Sequence, residues 1–186
     1  EKEMDEFDSV IIRNEEGGHM AGHFFYEKGC RIPGFIGEKS QRSYAVSATE
    51  LRFQGFSSFF QKKGIQIQPE HVWMGEFTDE KLDEGIDKLL NQENLPDCIF
   101  ASSDLIAIRL IQKASKYNLK IPKNISVVGF DDLDIAEFTQ LTTVSQNLDE
   151  SGRLAAEMIL DRIHNPNRSQ RKTIVPLCIK ERDTKK

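Results

Sequence analysis

Short apolar runs and helical apolar stripes alternate along this chain from one end to the other. Ser9–Arg13 (SVIIR) has the length and content of a strand. Met20, Ala21, Phe24 and Phe25 then recur at i, i+1, i+4 and i+5, the spacing of one helix face, and Gly29 stops that helix. Ile32–Gly37 is the next strand, with Pro33 obliged to lie at its start or on an edge. Residues 38–45 read as a polar loop. A helix from about Val46 to Lys63 buries Phe53, Phe56, Phe59 and Phe60, and Gly64 closes it. His71–Gly75 is a third strand. Thr78 then N-caps a helix whose first turn carries Asp79 and Glu80, where the helix dipole favours acids, and whose stripe is Leu82, Ile86, Leu89 and Leu90.

The stretch Pro96–Asp132 organises the rest. Cys98-Ile99-Phe100-Ala101 has the continuous apolar character of a strand covered on both faces. Ser102, Ser103 and Asp104 supply acceptors for a helix start, and N-capping by itself accounts for Asp104. Leu105, Ile108 and Ile111 recur every three residues, with Ala114 one turn further, and form the predicted core stripe; Asn118 and Pro122 end the helix. Ile125–Phe130 is a second apolar strand that runs into Asp131 and Asp132. Parallel strands joined by a helix cross over right-handed, which brings both strand C-termini to one edge, the edge where open α/β sheets bind ligands. A loop, Leu133–Leu141, and a brief extended piece, Thr142–Gln146, follow. Ser151–His164 is helical, with Leu154, Ala155, Met158, Ile159 and Ile163 on one side, and Thr173–Arg182 is a last strand broken near Pro176. The alternation predicts an α/β fold with a doubly wound, mostly parallel sheet.

Composition narrows the function. The 186 residues suffice for one α/β domain, or one and a fraction, and no run approaches the roughly 18 apolar residues of a membrane span. A net charge of −5 argues against this chain itself gripping nucleic-acid phosphates. Cys30, Cys98 and Cys178 form no CxxC and read as buried free thiols in a reducing compartment. GxGxxG, GxxxxGK[ST] and GxSxG do not occur, so dinucleotide, P-loop and hydrolase-elbow chemistry has no support. His19 and His23, at i and i+4, read as a solvated helix face rather than a metal pair, and no metal or cofactor is implied. Adjacent residues at a strand end point to opposite sides, so only one of Asp131 and Asp132 faces a given site, and no catalytic residue is assigned. Arg52, on the polar side of its helix, reads as a surface arginine; Phe77 divides evenly between core and ligand edge.

NISVVGFDD, then LTTVSQNLDESGRLAAEMILDRI after a short loop, together with PDCIFASSDLIAI, the Arg-x-x-Gly-Phe of Arg52–Phe56 and NEEGGHMAGHFF, resembles the C-terminal effector-binding region of lactose-repressor/galactose-repressor transcription regulators, in order and at the expected spacing from Phe7 to Arg182. The resemblance implies a Rossmann-like lobe of a type I periplasmic-binding-protein-like fold. Residues 1–13 would end the N-terminal lobe, 14–144 would form the C-terminal effector-binding lobe, 145–172 would return to the N-terminal lobe, and 173–186 would add the final strand of the C-terminal lobe and a tail. The helix-turn-helix domain that the resemblance implies would be absent from this chain. A sugar or phosphosugar effector would sit between the lobes and change operator affinity. By position in the motifs, Arg52 and Asp131 would bind effector hydroxyls, Phe77 would stack on the ligand, and Ser103 and Gln146 would line the site. Arg13 stands where many members carry an acid before Asn14 and would suit an acidic or phosphorylated effector. The family also implies a homodimer, here through Leu82, Ile86, Leu105, Ile108 and Phe138, a cytoplasmic location, and operator DNA held by the missing domain, with no membrane partner. Two other readings compete: a periplasmic sugar-binding protein of a transport system, and a small α/β enzyme.

Overall fold

A computed structural model describes residues 7–39 and 47–185. Nearly all of the predicted 38–45 loop, and Val46, lie outside the described residues. Six strands form the main sheet: β2 (Pro33–Glu38), β3 (Val72–Gly75), β4 (Cys98–Ala101), β5 (Ser126–Asp131), β6 (Thr143–Ser145) and β8 (Cys178–Lys180). Their spatial order is β3-β2-β4-β5-β6-β8, parallel throughout except for β8, which pairs antiparallel with β6. The chain therefore winds outward from β2 to β3, then turns back past β2 to β4 and continues the other way. That reversal between β2 and β4 is the topological switch point of a doubly wound sheet.

Period-two alternation along the strands feeds two separate cores. Phe35, Cys98, Phe100, Val128 and Phe130 face α1 (Asn14–Glu27) and α2 (Ala48–Lys62), which contribute Phe25, Phe56, Phe59 and Phe60. Ile36, Ile99, Ala101 and Val127 face the other way, against α3 (Asp79–Leu90) and α4 (Asp104–Ala114). Thr78, as predicted, and Ser103 cap α3 and α4, and Ser47, not foreseen as a cap, makes a capping box with Glu50 at the start of α2. The α1–α2 pair packs unusually close. A Cβ added at Gly18 would lie 1.8 Å from the Arg52 carbonyl oxygen, and one at Gly55 would lie 1.8 Å from that of Glu15.

The core face of α4 differs from the one predicted. Ile106, Ala107, Leu110 and Ala114 are buried, Leu105 is exposed, and Ile108 and Ile111 are only partly buried. Almost every position from 105 to 111 is apolar, so a three-residue recurrence did not determine the phase; contact with β4 and β5 did. The predicted loop Leu133–Leu141 contains a short helix, α5 (Asp134–Phe138).

The predicted last strand is in fact two, with different partners. β8 completes the main sheet, whereas β7 (Lys172–Ile174) pairs in parallel with β1 (Ser9–Ile11) in a separate two-stranded sheet. Thr173 and Ile174 thus leave the larger sheet, contrary to the expected boundary at 173. Beside this pair lies α6 (Leu148–His164), which begins three residues earlier than predicted. Asp8 ties the unit together: its carboxylate accepts from Arg162 and Arg168 and from the Arg171 backbone amide. Met158 is buried here, outside both main cores, while Ile159, Leu160 and Ile163 stand exposed along α6.

Candidate functional site

The C-terminal ends of β2 to β6 meet where Glu38, Phe77, Ser102–Ser103, Asp131 and Gln146 emerge. Arg52 reaches this edge from α2 and is buried rather than on the surface, at 8% exposure. Its Nε donates to Asn14 Oδ1 at 2.9 Å, its Nη1 donates to the Ser102 carbonyl at 2.5 Å, and its guanidinium lies 3.5 Å over the Phe130 ring. The same Nη1 is 3.8 Å from Asp131 Oδ1, which also accepts from Gln146 Nε2. A planar cation stacked on an aromatic face and held by two fixed acceptors has little rotational freedom left.

Asp131 is half-buried, and burial raises its carboxyl above the ordinary range, although Arg52 and Gln146 pull the other way. It has φ +121° and Asp132 has φ +63°, so two consecutive non-glycine residues occupy the left-handed half of conformational space. They diverge as expected for neighbours at a strand end: Asp131 turns to Arg52, and Asp132 accepts from Arg182 at 2.8 Å.

Other predicted site residues are placed with different intimacy. Ser103 sits on the edge, and its Oγ accepts from the Ile106 amide at 3.4 Å. Phe77 is half exposed and lines a cavity of about 310 Å³ with Glu38, Ser47, Thr49 and Glu76. Arg13 is solvent-facing, 3.7 Å from Glu16, and lines a larger groove of about 1220 Å³ between the β1–β7 pair and the α1–α2 pair. The structure thus gathers Arg52, Asp131 and Gln146 into one cluster, while Phe77 and Arg13 line two other cavities. Two members were missed from sequence, Asn14 and Phe130, which hold Arg52, and Asp104 has another role than the one read. Asp104 is not the N-cap of its helix; Ser103 takes that role, and the Asp104 carboxylate turns towards Leu133 and Thr143.

His19 and His23 both lean edge-on against Phe59, with ring centroids 5.0 and 5.7 Å away. Among the described residues, one group of candidate metal ligands occurs, Cys30, Asp97 and Cys98, whose ligand atoms lie within 4.8 Å of one another. It lies at the opposite edge of the sheet. Both Asp97 oxygens are taken by the Arg31 and Ile32 amides, and burial pushes the Cys98 thiol well up, so packing accounts for the cluster.

Residues 23–185 match the family described as periplasmic binding protein-like domain. Similar proteins include the ribose operon repressor of Haemophilus influenzae, 31% identical over 92% of this chain and 52% of that protein. The HTH-type transcriptional repressor PurR of Proteus mirabilis is 32% identical over 88% of this chain and 48% of its own. The chain thus spans about half the length of these curated relatives. A LacI family transcriptional regulator from Enterococcus faecalis V583, solved with bound ribose, shares the fold at a TM-score of 0.81 and 24% identity, covering 100% of this chain and 66% of that one.

Proposed function

We propose, because the chain belongs to the periplasmic binding protein-like domain family, in its lactose-repressor/galactose-repressor branch, that it is the effector-binding region of a transcription regulator. The observation that carries this reading is the Arg52–Asp131–Gln146 cluster at the switch-point edge. A carboxylate flanked by a guanidinium and an amide suits a pair of neighbouring hydroxyls, and the half-exposed Phe77 ring offers an apolar face for the C–H side of a sugar. The named relatives are repressors rather than enzymes or transport proteins, which supports the regulator over both competing readings. On this reading operator DNA is held by residues outside this chain, and the protein is cytoplasmic. No helix among the described residues is long and apolar enough to cross a membrane.

The exposed apolar row on α6 and the isolated β1–β7 pair support assigning both to the edge of a second lobe that covers them. For self-association the support is Phe138, 83% exposed, with Leu105 and Ile135 also exposed and Ile108 partly so. Leu82 and Ile86 drop out of that interface, because both are buried in this chain's own aliphatic core.

Calorimetric titration with D-ribose, other neutral sugars and sugar phosphates tests the site. Hydrogen bonds to charged groups contribute about 1.5–3 kcal/mol each, so Asp131→Ala should weaken the bound sugar by about tenfold to a hundredfold or more. A bound sugar whose affinity is indifferent to Asp131→Ala defeats the assignment.

A further inference from the structure

Asp131 points at Arg52 and Gln146 from a backbone conformation that side-chain-bearing residues adopt only when their surroundings impose it. Its neighbour Asp132 shares that condition, at φ +63°. The imposing group is found one strand away. The Asp104 side chain is fully buried; its Oδ2 accepts from the Leu133 amide at 2.8 Å, and its Oδ1 accepts from Thr143 Oγ1 at 2.5 Å. The Asp132 backbone also favours the charged form of this carboxyl, and in return the Asp104 backbone favours that of Asp131. Asp104 thus meets the turn in two ways: its side chain holds the Leu133 amide, and its backbone favours the Asp131 carboxylate. Room for this is made by Gly129, where a Cβ would lie 2.4 Å from Asp104 Oδ1. Capping does not explain Asp104, since Ser103 caps the helix.

We propose that Asp104 is the positioning residue of the effector site: its buried carboxylate holds the left-handed Asp131–Asp132 turn and so aims Asp131 at the ligand. The inference rests on the reading of Asp131 as the ligand carboxylate. Asp104 acts through hydrogen bonds to backbone and does not itself touch the ligand. The charged groups around it are Asp131, paired with Arg52 and near Glu38, and Asp132, paired with Arg182. Burial pushes Asp104 up to about 6, so its protonation falls in an accessible range. The protonated acid keeps one oxygen for the Leu133 amide and donates its proton to Thr143 Oγ1. The turn therefore survives protonation while the charge beside Asp131 disappears. Asp104→Asn reproduces that state, with its amide nitrogen donating to Thr143; Asp104→Ala removes the grip itself.

NMR of the 186-residue chain without ligand tests the proposal. Amide protons of Asp132 and Leu133 should titrate together with the Asp104 carboxyl, at a midpoint near about 6. In Asp104→Asn this titration should vanish while both amides stay protected from solvent exchange. In Asp104→Ala their protection should fall by tenfold or more, and the Gln146 side-chain amide signals should shift as Asp131 loses its aim. A merely structural contribution would lower global stability without a shared titration in those two amides. Amides that do not follow Asp104 in the parent chain, or protection and Gln146 signals unchanged in Asp104→Ala, overturn the proposal. Should Asp104→Ala not fold, the Asn variant decides: persistence of the amide titration overturns the proposal, and its loss with protection retained supports it. No sugar enters the measurement, so its outcome is separable from the titrations that test Asp131 as the ligand carboxylate.

Discussion

Arg52→Met isolates what the buried guanidinium does for the fold, because methionine keeps most of the apolar stem. The substitution removes hydrogen bonds to Asn14 and to the Ser102 carbonyl, the ion pair with Asp131 and the stacking on Phe130. Asn14 is buried, so its Oδ1 loses its guanidinium donor where water does not readily replace it. Asp131 is left in a half-buried position without its cation. Breaking a buried charged network by deleting one partner costs about 3–5 kcal/mol. Urea unfolding followed by the fluorescence of Trp73, the single tryptophan, which packs on the aliphatic core, gives the assay. With a slope of about 2 kcal/mol per molar urea, the midpoint should fall by about 1.5–2.5 M. Asp131→Ala should cost far less. Its carboxylate is disfavoured by burial, and Arg52 keeps Asn14 and Ser102 as partners. A midpoint shift below about 0.5 M for Arg52→Met, or equal shifts for the two variants, would refute the assignment of Arg52 as an internal strut. It follows that lost ligand affinity in an Arg52 variant says little about contact with ligand, and Asp131 is the cleaner probe.

Gly55→Ala drives a methyl group into the Glu15 carbonyl and separates α1 from α2; a loss of about 5 °C or more in melting temperature is expected, read by circular dichroism. The two most shifted aspartates should give stability a pH dependence of opposite sign. Asp104, raised to about 6, contributes stability that is complete below 3.8 and is lost as pH rises through about 6; Asp104→Asn should remove that slope from denaturation curves. Asp8, lowered to about 2 chiefly by its hydrogen bond from Arg162, contributes stability that is present above 3.8 and lost as pH falls towards 2, and Asp8→Asn should lack it. For self-association, sedimentation at micromolar concentration should show a dimer weakened by Phe138→Ala; a monomer at every concentration would count against that surface.

The sheet was legible because its strands are short apolar runs covered on both faces and its helices carry four or more apolar positions each. Cys98–Ala101 and Ile125–Phe130 had no alternative reading of comparable quality. Where the pattern was saturated it lost resolution. The apolar stretch of α4 fits two helical phases, and only the packing of Ile106, Ala107 and Leu110 against the sheet selects between them. Thr173–Arg182 reads as one strand broken near Pro176, yet Pro176 separates two segments with different partners, and pairing at long range leaves no local trace. The edge that gathers Ser103, Asp104 and Asp131 followed from crossover handedness alone, whereas Gln146 and the ligand roles came through resemblance. Arg52 shows why. Its neighbours in sequence describe a polar helix face, and what buries it is Asn14, Ser102 and Phe130, each on a different element.

The same reasoning explains why the site's rigidity could not be read from Asp131 and Asp132. Nothing in an Asp-Asp pair announces positive φ; glycine or asparagine would have been the signal. The conformation is imposed by contacts that converge from three other elements: Asp104 at the start of α4, Thr143 on β6 through Asp104, and Arg182 after β8, which holds Asp132 at 2.8 Å and the Leu141 carbonyl at 2.8 Å. A turn clamped in this way has little freedom to adjust, so on the proposed reading Asp131 would be aimed before any ligand arrives. Phe77 and Arg13 are held differently. Phe77 is half exposed, and Arg13 has Glu16, itself solvent-facing, at 3.7 Å. On the proposed reading, a fixed carboxylate places discrimination among hydroxyl patterns on Asp131, and leaves the size and charge of whatever projects beyond it to the more exposed Phe77 and Arg13.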